Sequence, residues 1–131
     1  MCDITKMLKL ANNSIVLIDD YVDEQTFSVL EGKNENVELI ICSKNRIMTC
    51  IKNIKRRKAF KEKIKFVESN EYRGRFILID GKILFILSRS LRYNAKRNFY
   101  FIRIHDYEEI NKVRMLVDNC LKRAKELCRH F

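Results

Sequence analysis

The sequence predicts a single α/β domain over residues 1–131, in which a mixed, largely parallel sheet is flanked by helices. The chain is long enough for one hydrophobic core, since 47% of its 131 residues are hydrophobic and 34% are charged. Short apolar runs alternate with segments of helical periodicity, and this order is typical of α/β proteins. No linker, repeat or low-complexity segment interrupts it.

The first half of the chain alternates helices with apolar strands. A short opening helix precedes Ser14–Ile18, a β-branched apolar run that predicts a buried strand. Asp23 is a suitable N-cap for a second helix, which Gly32 ends. Val37–Cys42 is the next apolar run. Because neither run alternates with polar residues, we expect strands covered on both faces, as in a parallel sheet.

The second half predicts a basic helix, a hairpin and a final helix. Residues 43–63 have helical periodicity, and their outer face is almost wholly Lys and Arg. Asp80 followed by Gly81 is a strong turn signal for a hairpin. Asp106 is positioned to cap a last helix with apolar residues at i, i+3 and i+4 spacing. The predicted strands of this half are Ile64–Val67, Arg75–Ile79, Ile83–Leu87 and Phe99–Ile104.

The formal net charge of +10 is concentrated in the middle of the chain. Residues 44–65 hold ten Lys and Arg against one Glu, whereas residues 1–43 hold three against eight Asp and Glu. A cationic block attracts polyanions, of which nucleic acid is the commonest, although Lys-rich helices are often only solvated faces. The expected nucleic-acid contacts from this helix are Lys52, Lys55, Arg56, Arg57, Lys58 and Lys61.

Other partners and cofactors are not expected. No apolar run approaches the roughly 20 residues of a membrane helix, and the N-terminus lacks an uninterrupted secretory apolar region. We therefore expect a soluble, cytoplasmic protein with no membrane partner. The five cysteines include no CxxC or Cys/His pair at ligand spacing, which favours reduced thiols over disulfides or a metal site.

Polar side chains around the predicted hairpin suit a phosphoryl group. Arg73 and Arg75 are two residues apart on an extended segment, so their side chains can leave the same face. Guanidinium groups bind phosphate oxygens bidentately. Asp80 is also simply what a hairpin turn prefers, and the serines that follow could cap loops. The expected phosphate site consists of Arg73, Arg75, Asp80, Ser88, Ser90, Lys96 and Arg97.

The segment from Arg73 to Asp80 resembles the phospholipase D signature: histidine, any residue, a lysine or arginine, four residues, and aspartate. Arg75 matches the basic position and Asp80 the acid, whereas Arg73 stands in the histidine's place and Gly74 replaces the aspartate of the arginine variant. The resemblance continues through Ser90-Leu91-Arg92 and Ala95-Lys96-Arg97. It implies a phospholipase D-like fold of the small phage and bacterial type, with one motif per chain and therefore a homodimer.

In that family the histidine attacks phosphorus to form a phosphohistidine. A guanidinium stays protonated and has no lone pair for such an attack. We therefore expect a catalytically degenerate module that binds the phosphodiester backbone of DNA or RNA. One alternative is an active, metal-independent phosphodiesterase or nuclease with a displaced nucleophile, for which His105 is the candidate. Another is a regulatory domain for a small anionic ligand, similar to the sensor domains of some archaeal sugar-responsive transcription regulators.

Three carboxylates follow the first predicted strand, namely Asp19, Asp20 and Asp23. The carboxyl ends of parallel strands border the usual binding crevice of an α/β sheet. We expect these carboxylates to offset the arginines there, with Asp20 close to Arg75. The sequence does not indicate an aromatic platform for single-stranded nucleic acid.

Overall fold

The structure, a computed structural model, describes residues 3–43, 64–68, 74–93 and 98–123. The helix predicted over residues 43–63 falls outside these ranges except for Ser43. The described helices are α1 (Asp3–Leu8), α2 (Glu24–Leu30) and α3 (Tyr107–Arg123), and a 3₁₀ turn spans Leu91–Tyr93. The strands are β1 (Ser14–Asp19), β2 (Glu38–Ser43), β3 (Ile64–Glu68), β4 (Phe76–Ile79), β5 (Ile83–Leu87) and β6 (Phe101–Ile104).

The described strands form one six-stranded mixed sheet in the order β3-β2-β1-β4-β5-β6. β1 and β2 are parallel, as are β2 and β3, whereas the other three pairings are antiparallel. The predicted α/β class with a mixed sheet is confirmed. The parallel part comprises β1 to β3, because β4 runs antiparallel to β1 and the hairpin then reverses the chain again.

The two ends of the strands define the two ends of the sheet. We call the end where Asp19 finishes β1 and Phe76 begins β4 the upper end, and the end where Ser14 begins β1 and Ile79 finishes β4 the lower end. Since β5 is antiparallel to β4, its last residue, Leu87, also lies at the upper end. Every described strand thus contributes one terminus to each end.

Both faces of the sheet are covered at β1 and β2, as the unbroken apolar runs predict. On one face, Leu17 of β1 packs in a core with α1 and α2. On the other face, Ile18 packs in a second core with Val117 of α3. Phe27 of α2 and Phe66 of β3 are fully buried, and their ring centroids are 5.8 Å apart. Burial on both sides explains why β1 lacks polar alternation.

The predicted helix caps are confirmed. The Asp23 carboxylate accepts hydrogen bonds from the backbone N–H groups of Gln25 and Thr26, at 3.0 and 3.2 Å. The Thr26 hydroxyl accepts in turn from the Asp23 N–H, which completes a capping box for α2. Asp106 accepts from the N–H of Glu108 at the start of α3. Each such cap contributes about 1 kcal/mol.

The buried cysteines behave as small hydrophobic residues. Cys42 of β2 and Cys120 of α3 lie in the core between the sheet and that helix. Burial, together with the neighbouring Cys120, raises the pKa of Cys42 to about 12, so its thiol stays protonated at neutral pH. Within the described ranges, no cluster of three or more His, Cys, Asp or Glu side chains could hold a metal ion. No helix in this part of the chain combines the length and apolarity needed to cross a membrane.

The β4–β5 hairpin turns at Asp80 and Gly81, whose φ angles are 52° and 69°. Positive φ at both central residues is what a type I′ turn requires, and Asp-Gly is a preferred pair for it. The Asp80 carboxylate accepts hydrogen bonds from the backbone N–H groups of Asn12, Asn13 and Ser14, the shortest at 2.7 Å. It therefore fastens the turn to the chain that enters β1.

We expect Asp80→Asn to lower the free energy of unfolding at neutral pH by about 1–2 kcal/mol, because an amide cannot accept all of these bonds. Partial burial favours a higher pKa for Asp80, but the N–H groups of Ser14, Asn12 and Asn13 outweigh it and lower the pKa from 3.8. The carboxylate's stabilisation is thus present above the unfolded-state pKa and lost as pH falls through the lowered pKa. Urea unfolding at neutral and acidic pH measures the difference, which should shrink in acid.

Asn tolerates positive φ, so this substitution tests the carboxylate and not the backbone. Asp118→Asn, at an exposed position on α3, is the matched control and should change stability by less than about 0.5 kcal/mol. Equal stability of Asp80→Asn and the wild type at neutral pH would contradict the assignment.

Candidate functional site

A buried carboxylate organises the upper end of the sheet. Asp19 is 1% exposed, and its two oxygens accept hydrogen bonds from the N–H groups of Tyr21, at 3.1 Å, and Leu91, at 2.9 Å. Burial raises the pKa of Asp19, against the opposing effects of these N–H groups, the Ser90 hydroxyl and the charge of Arg75. The contact with Leu91 ties the end of β1 to the 3₁₀ turn.

The predicted pairing of Asp20 with Arg75 is confirmed. Arg75 Nη2 lies 3.7 Å from Asp20 Oδ2, and both side chains are more than a third exposed. This distance is longer than a hydrogen bond, and so exposed a pair contributes about 0–1 kcal/mol. Arg75 Nε is buried and has no acceptor in the structure as described. The Nη atoms, which make no hydrogen bond to Asp20 at this distance, are the donors that remain for an external anion.

A second arginine of the upper end is enclosed by tyrosines. Arg92 Nη1 donates to Asp23 Oδ2 at 3.0 Å, and Nη2 donates to the Tyr93 hydroxyl. The Arg92 guanidinium carbon lies 4.0 Å from the ring centroid of Tyr21 and 4.5 Å from that of Tyr93. Arg89 lies 4.5 Å from the same Tyr93 ring. We call the contiguous set Tyr21, Arg92, Tyr93 and Arg89 the Tyr–Arg stack.

Sequence reasoning missed the Tyr–Arg stack. Tyr21 and Arg92 are separated by 71 positions in the sequence. No local periodicity links such positions. The Asp19–Leu91 hydrogen bond and the Arg92–Asp23 ion pair bring the two segments together. The one signal in the sequence was that Tyr21 and Tyr93 follow two strands that were predicted to end at the same end of the sheet.

The two serines of the predicted phosphate site lie at the upper end but make contacts within the protein. The Ser88 hydroxyl donates to the Asn98 carbonyl at 3.2 Å and accepts from the Tyr100 N–H at 2.8 Å. Ser90 is 6% exposed, and its hydroxyl bonds the Asp19 carboxylate. Phosphate binding by either serine stays a prediction.

Asp80 and His105 lie at the lower end, away from Arg75. β4 separates Arg75 from Asp80, so about 17 Å of extended chain lies between them. The expectation that Asp80 converges with the arginines is therefore corrected, because its carboxylate bonds the chain before β1. His105 follows β6, whose first residue is at the upper end and whose last is at the lower end. It cannot swing to Arg75 as a displaced nucleophile.

The remaining predicted contacts lie outside the described residues. They are Arg73, Lys96 and Arg97 of the phosphate site and Lys52, Lys55, Arg56, Arg57, Lys58 and Lys61 of the basic helix. The described ranges hold 13 Lys and Arg against 14 Asp and Glu in the sequence, so the other segments carry the whole of the +10 excess. Their role in binding stays a prediction.

No family model and no curated protein matches the sequence. Solved structures do match the fold. TrmBL2, an archaeal chromatin protein whose structure shows a novel mode of DNA binding, has a TM-score of 0.62 at 16% identity, over 95% of this chain and 49% of its own. This chain thus spans about half of TrmBL2.

Two further structures match over most of their own length. NucT from Helicobacter pylori has a TM-score of 0.60 at 14% identity, over 95% of this chain and 89% of its own. Nuc from Salmonella typhimurium, a phospholipase D family member, has a TM-score of 0.68 at 10% identity, over 94% of this chain and 87% of its own. At these identities the likeness establishes the fold alone. The six-stranded mixed sheet and its flanking helices are a phospholipase D-like fold.

Proposed function

We propose that this chain is a catalytically inactive phospholipase D-like module that binds the phosphodiester backbone of DNA or RNA. Arg75 carries the proposal. It occupies the position at which the resembled motif holds phosphate, and its side chain is part-exposed and held, among the described residues, only by the loose 3.7 Å contact with Asp20. An arginine in this state suits the two oxygens of a phosphate.

The charge distribution supports a polymeric ligand. Residues 44–63 hold nine Lys and Arg against one Glu, and Arg73, Lys96 and Arg97 flank the described parts of the upper end in sequence. Several such groups along a backbone release counterions on binding, which makes affinity strongly dependent on salt. The fold's likeness to TrmBL2, a DNA-binding chromatin protein, is consistent with this class of ligand.

We expect the affinity for plain 20-nucleotide DNA or RNA to fall more than about tenfold between 50 and 200 mM salt, because at least three phosphates are neutralised. Fluorescence anisotropy at several salt concentrations measures it. Absent or salt-independent binding would contradict the proposal. If instead only phosphorylated sugars or inorganic phosphate raise the melting temperature, the domain senses a small anionic ligand.

Two variants of the Asp20–Arg75 pair should change the affinity for nucleic acid in opposite directions. Arg75→Ala should weaken binding and lower the salt slope by about 0.7–0.9, the equivalent of one phosphate contact. Asp20→Asn should tighten binding, because it releases Arg75 from its carboxylate. Lys82→Ala, which removes one charge from the exposed turn at the lower end, is the matched control. An effect of Lys82→Ala equal to that of Arg75→Ala would show that only total charge matters.

The proposed module binds nucleic acid without cleaving it. Arg73 stands where the resembled motif has its nucleophile, and the one histidine in the described ranges, His105, lies at the lower end. We expect labelled single-stranded and duplex DNA to stay intact with the protein in EDTA, as gel analysis would show. Cleavage that disappears in His105→Ala would overturn this and establish an active phosphodiesterase or nuclease.

We also propose that the module is a homodimer built along the face that carries the motif. The resembled family needs two motifs, and this chain carries one. Exposed apolar side chains at β5 and β6 are consistent with a partner: Tyr100 is 60% exposed, Ile102 is 55% and Ile86 is 38%. We expect sedimentation equilibrium to give twice the chain mass of 15.7 kDa. A monomeric mass at micromolar concentration would contradict the pairing.

A further inference from the structure

The Tyr–Arg stack presents aromatic surface to solvent at the upper end. Tyr21 is 47% exposed, although the guanidinium carbon of Arg92 is only 4.0 Å from its ring centroid. Tyr93 and Arg89 are both half-buried. A ring that is backed by a cation and open to solvent is a suitable platform for a nucleobase.

The platform is held in place by contacts within the protein. Arg92 is held by Asp23 and by the Tyr93 hydroxyl, and Asp23 is itself held as the N-cap of α2. The turn that carries Arg92 is held by the Asp19–Leu91 contact. A preorganised surface loses little conformational entropy on binding, which favours ligand affinity.

The platform adjoins the proposed phosphate-binding arginine. Tyr21 directly follows Asp20, whose carboxylate lies 3.7 Å from Arg75. A strand with one phosphate at Arg75 can therefore bring a nearby base to Tyr21. Neighbouring parts of one strand then make the phosphate contact and the base stacking.

The local charge favours stacking over simple polyanion attraction. The charged groups linked by contacts around Arg75 and the Tyr–Arg stack are three arginines, Arg75, Arg89 and Arg92, and three aspartates, Asp19, Asp20 and Asp23. These charges balance, so the site itself provides little nonspecific pull on a duplex. Bases in a duplex are stacked on one another, whereas unpaired bases expose a face that every nucleobase shares.

We propose that this module binds single-stranded nucleic acid, with an unpaired base stacked on Tyr21 of the Tyr–Arg stack and an adjacent phosphate at Arg75. The inference rests on the proposed phosphodiester binding and narrows its ligand to single strands. Stacking of this kind tolerates any base sequence.

The test compares a 20-nucleotide thymidine strand with an abasic phosphodiester chain of the same length, which keeps the phosphates and lacks the bases. Tyr21→Leu should weaken binding of the thymidine strand about tenfold and leave the abasic chain unaffected. Tyr21→Phe keeps the ring and should bind like the wild type. Tyr107→Leu, which removes a tyrosine that is 68% exposed beyond the lower end, is the matched control and should change neither affinity.

A second readout uses the intrinsic emission of the protein, which has five Tyr and no Trp. The thymidine strand should quench tyrosine emission in the wild type and less in Tyr21→Leu, and the abasic chain should not quench it. Thermal unfolding of each variant checks that the fold is retained.

The outcomes separate the two proposals. The stacking proposal is overturned, and phosphodiester binding is not, if Tyr21→Leu binds the thymidine strand as tightly as the wild type does. The same conclusion follows if the wild type binds a duplex as tightly as the single strand. An equal loss for both chains in Tyr21→Leu also overturns the stacking proposal, since Tyr21 would then act by holding Arg92. Failure of the wild type to bind either chain overturns phosphodiester binding as well.

Discussion

The geometry of the upper end depends on one buried interaction, the hydrogen bond from the Leu91 N–H to the Asp19 carboxylate. Burying a carboxylate is costly, and the raised pKa of Asp19 reflects that cost. The N–H groups of Leu91 and Tyr21 and the Ser90 hydroxyl offset part of it. In return, two segments more than 70 residues apart in the sequence are held side by side, so that Arg92 reaches both Tyr21 and Asp23.

The two ends of the sheet have different physical roles. At the lower end, Asp80 satisfies backbone N–H groups and closes the hairpin against the start of β1, which is a contribution to stability. At the upper end, the pair of Asp20 and Arg75 is loose and part-exposed, and Arg75 Nε has no acceptor among the residues described. The aspartate and the arginine of one sequence motif thus lie at opposite ends of the sheet, the first in a stabilising contact and the second at the proposed ligand site.

A phospholipase D-like fold without the motif histidine is consistent with a protein that retains phosphate recognition and loses the covalent step. The charged groups around Arg75 and the Tyr–Arg stack balance one another, while the basic excess belongs to other segments of the chain. The residues of the proposed module that attract nucleic acid over a distance therefore differ from those that contact it at the site. In the proposed module, the lysines and arginines attract the backbone, and Arg75 and the Tyr–Arg stack determine what is bound.

The strands, the Asp-Gly hairpin and the caps Asp23 and Asp106 could be predicted from sequence, because apolar periodicity, turn preference and capping act over a few residues. The Asp20–Arg75 contact could also be predicted, since strand ends meet at one end of an α/β sheet. The predicted strand Arg75–Ile79 already separates Arg75 from Asp80, whereas the tertiary structure alone decided that His105 lies away from Arg75 and that Tyr21 meets Arg92. These placements depend on strand pairing and on one buried carboxylate, which join residues that no local pattern in the chain connects.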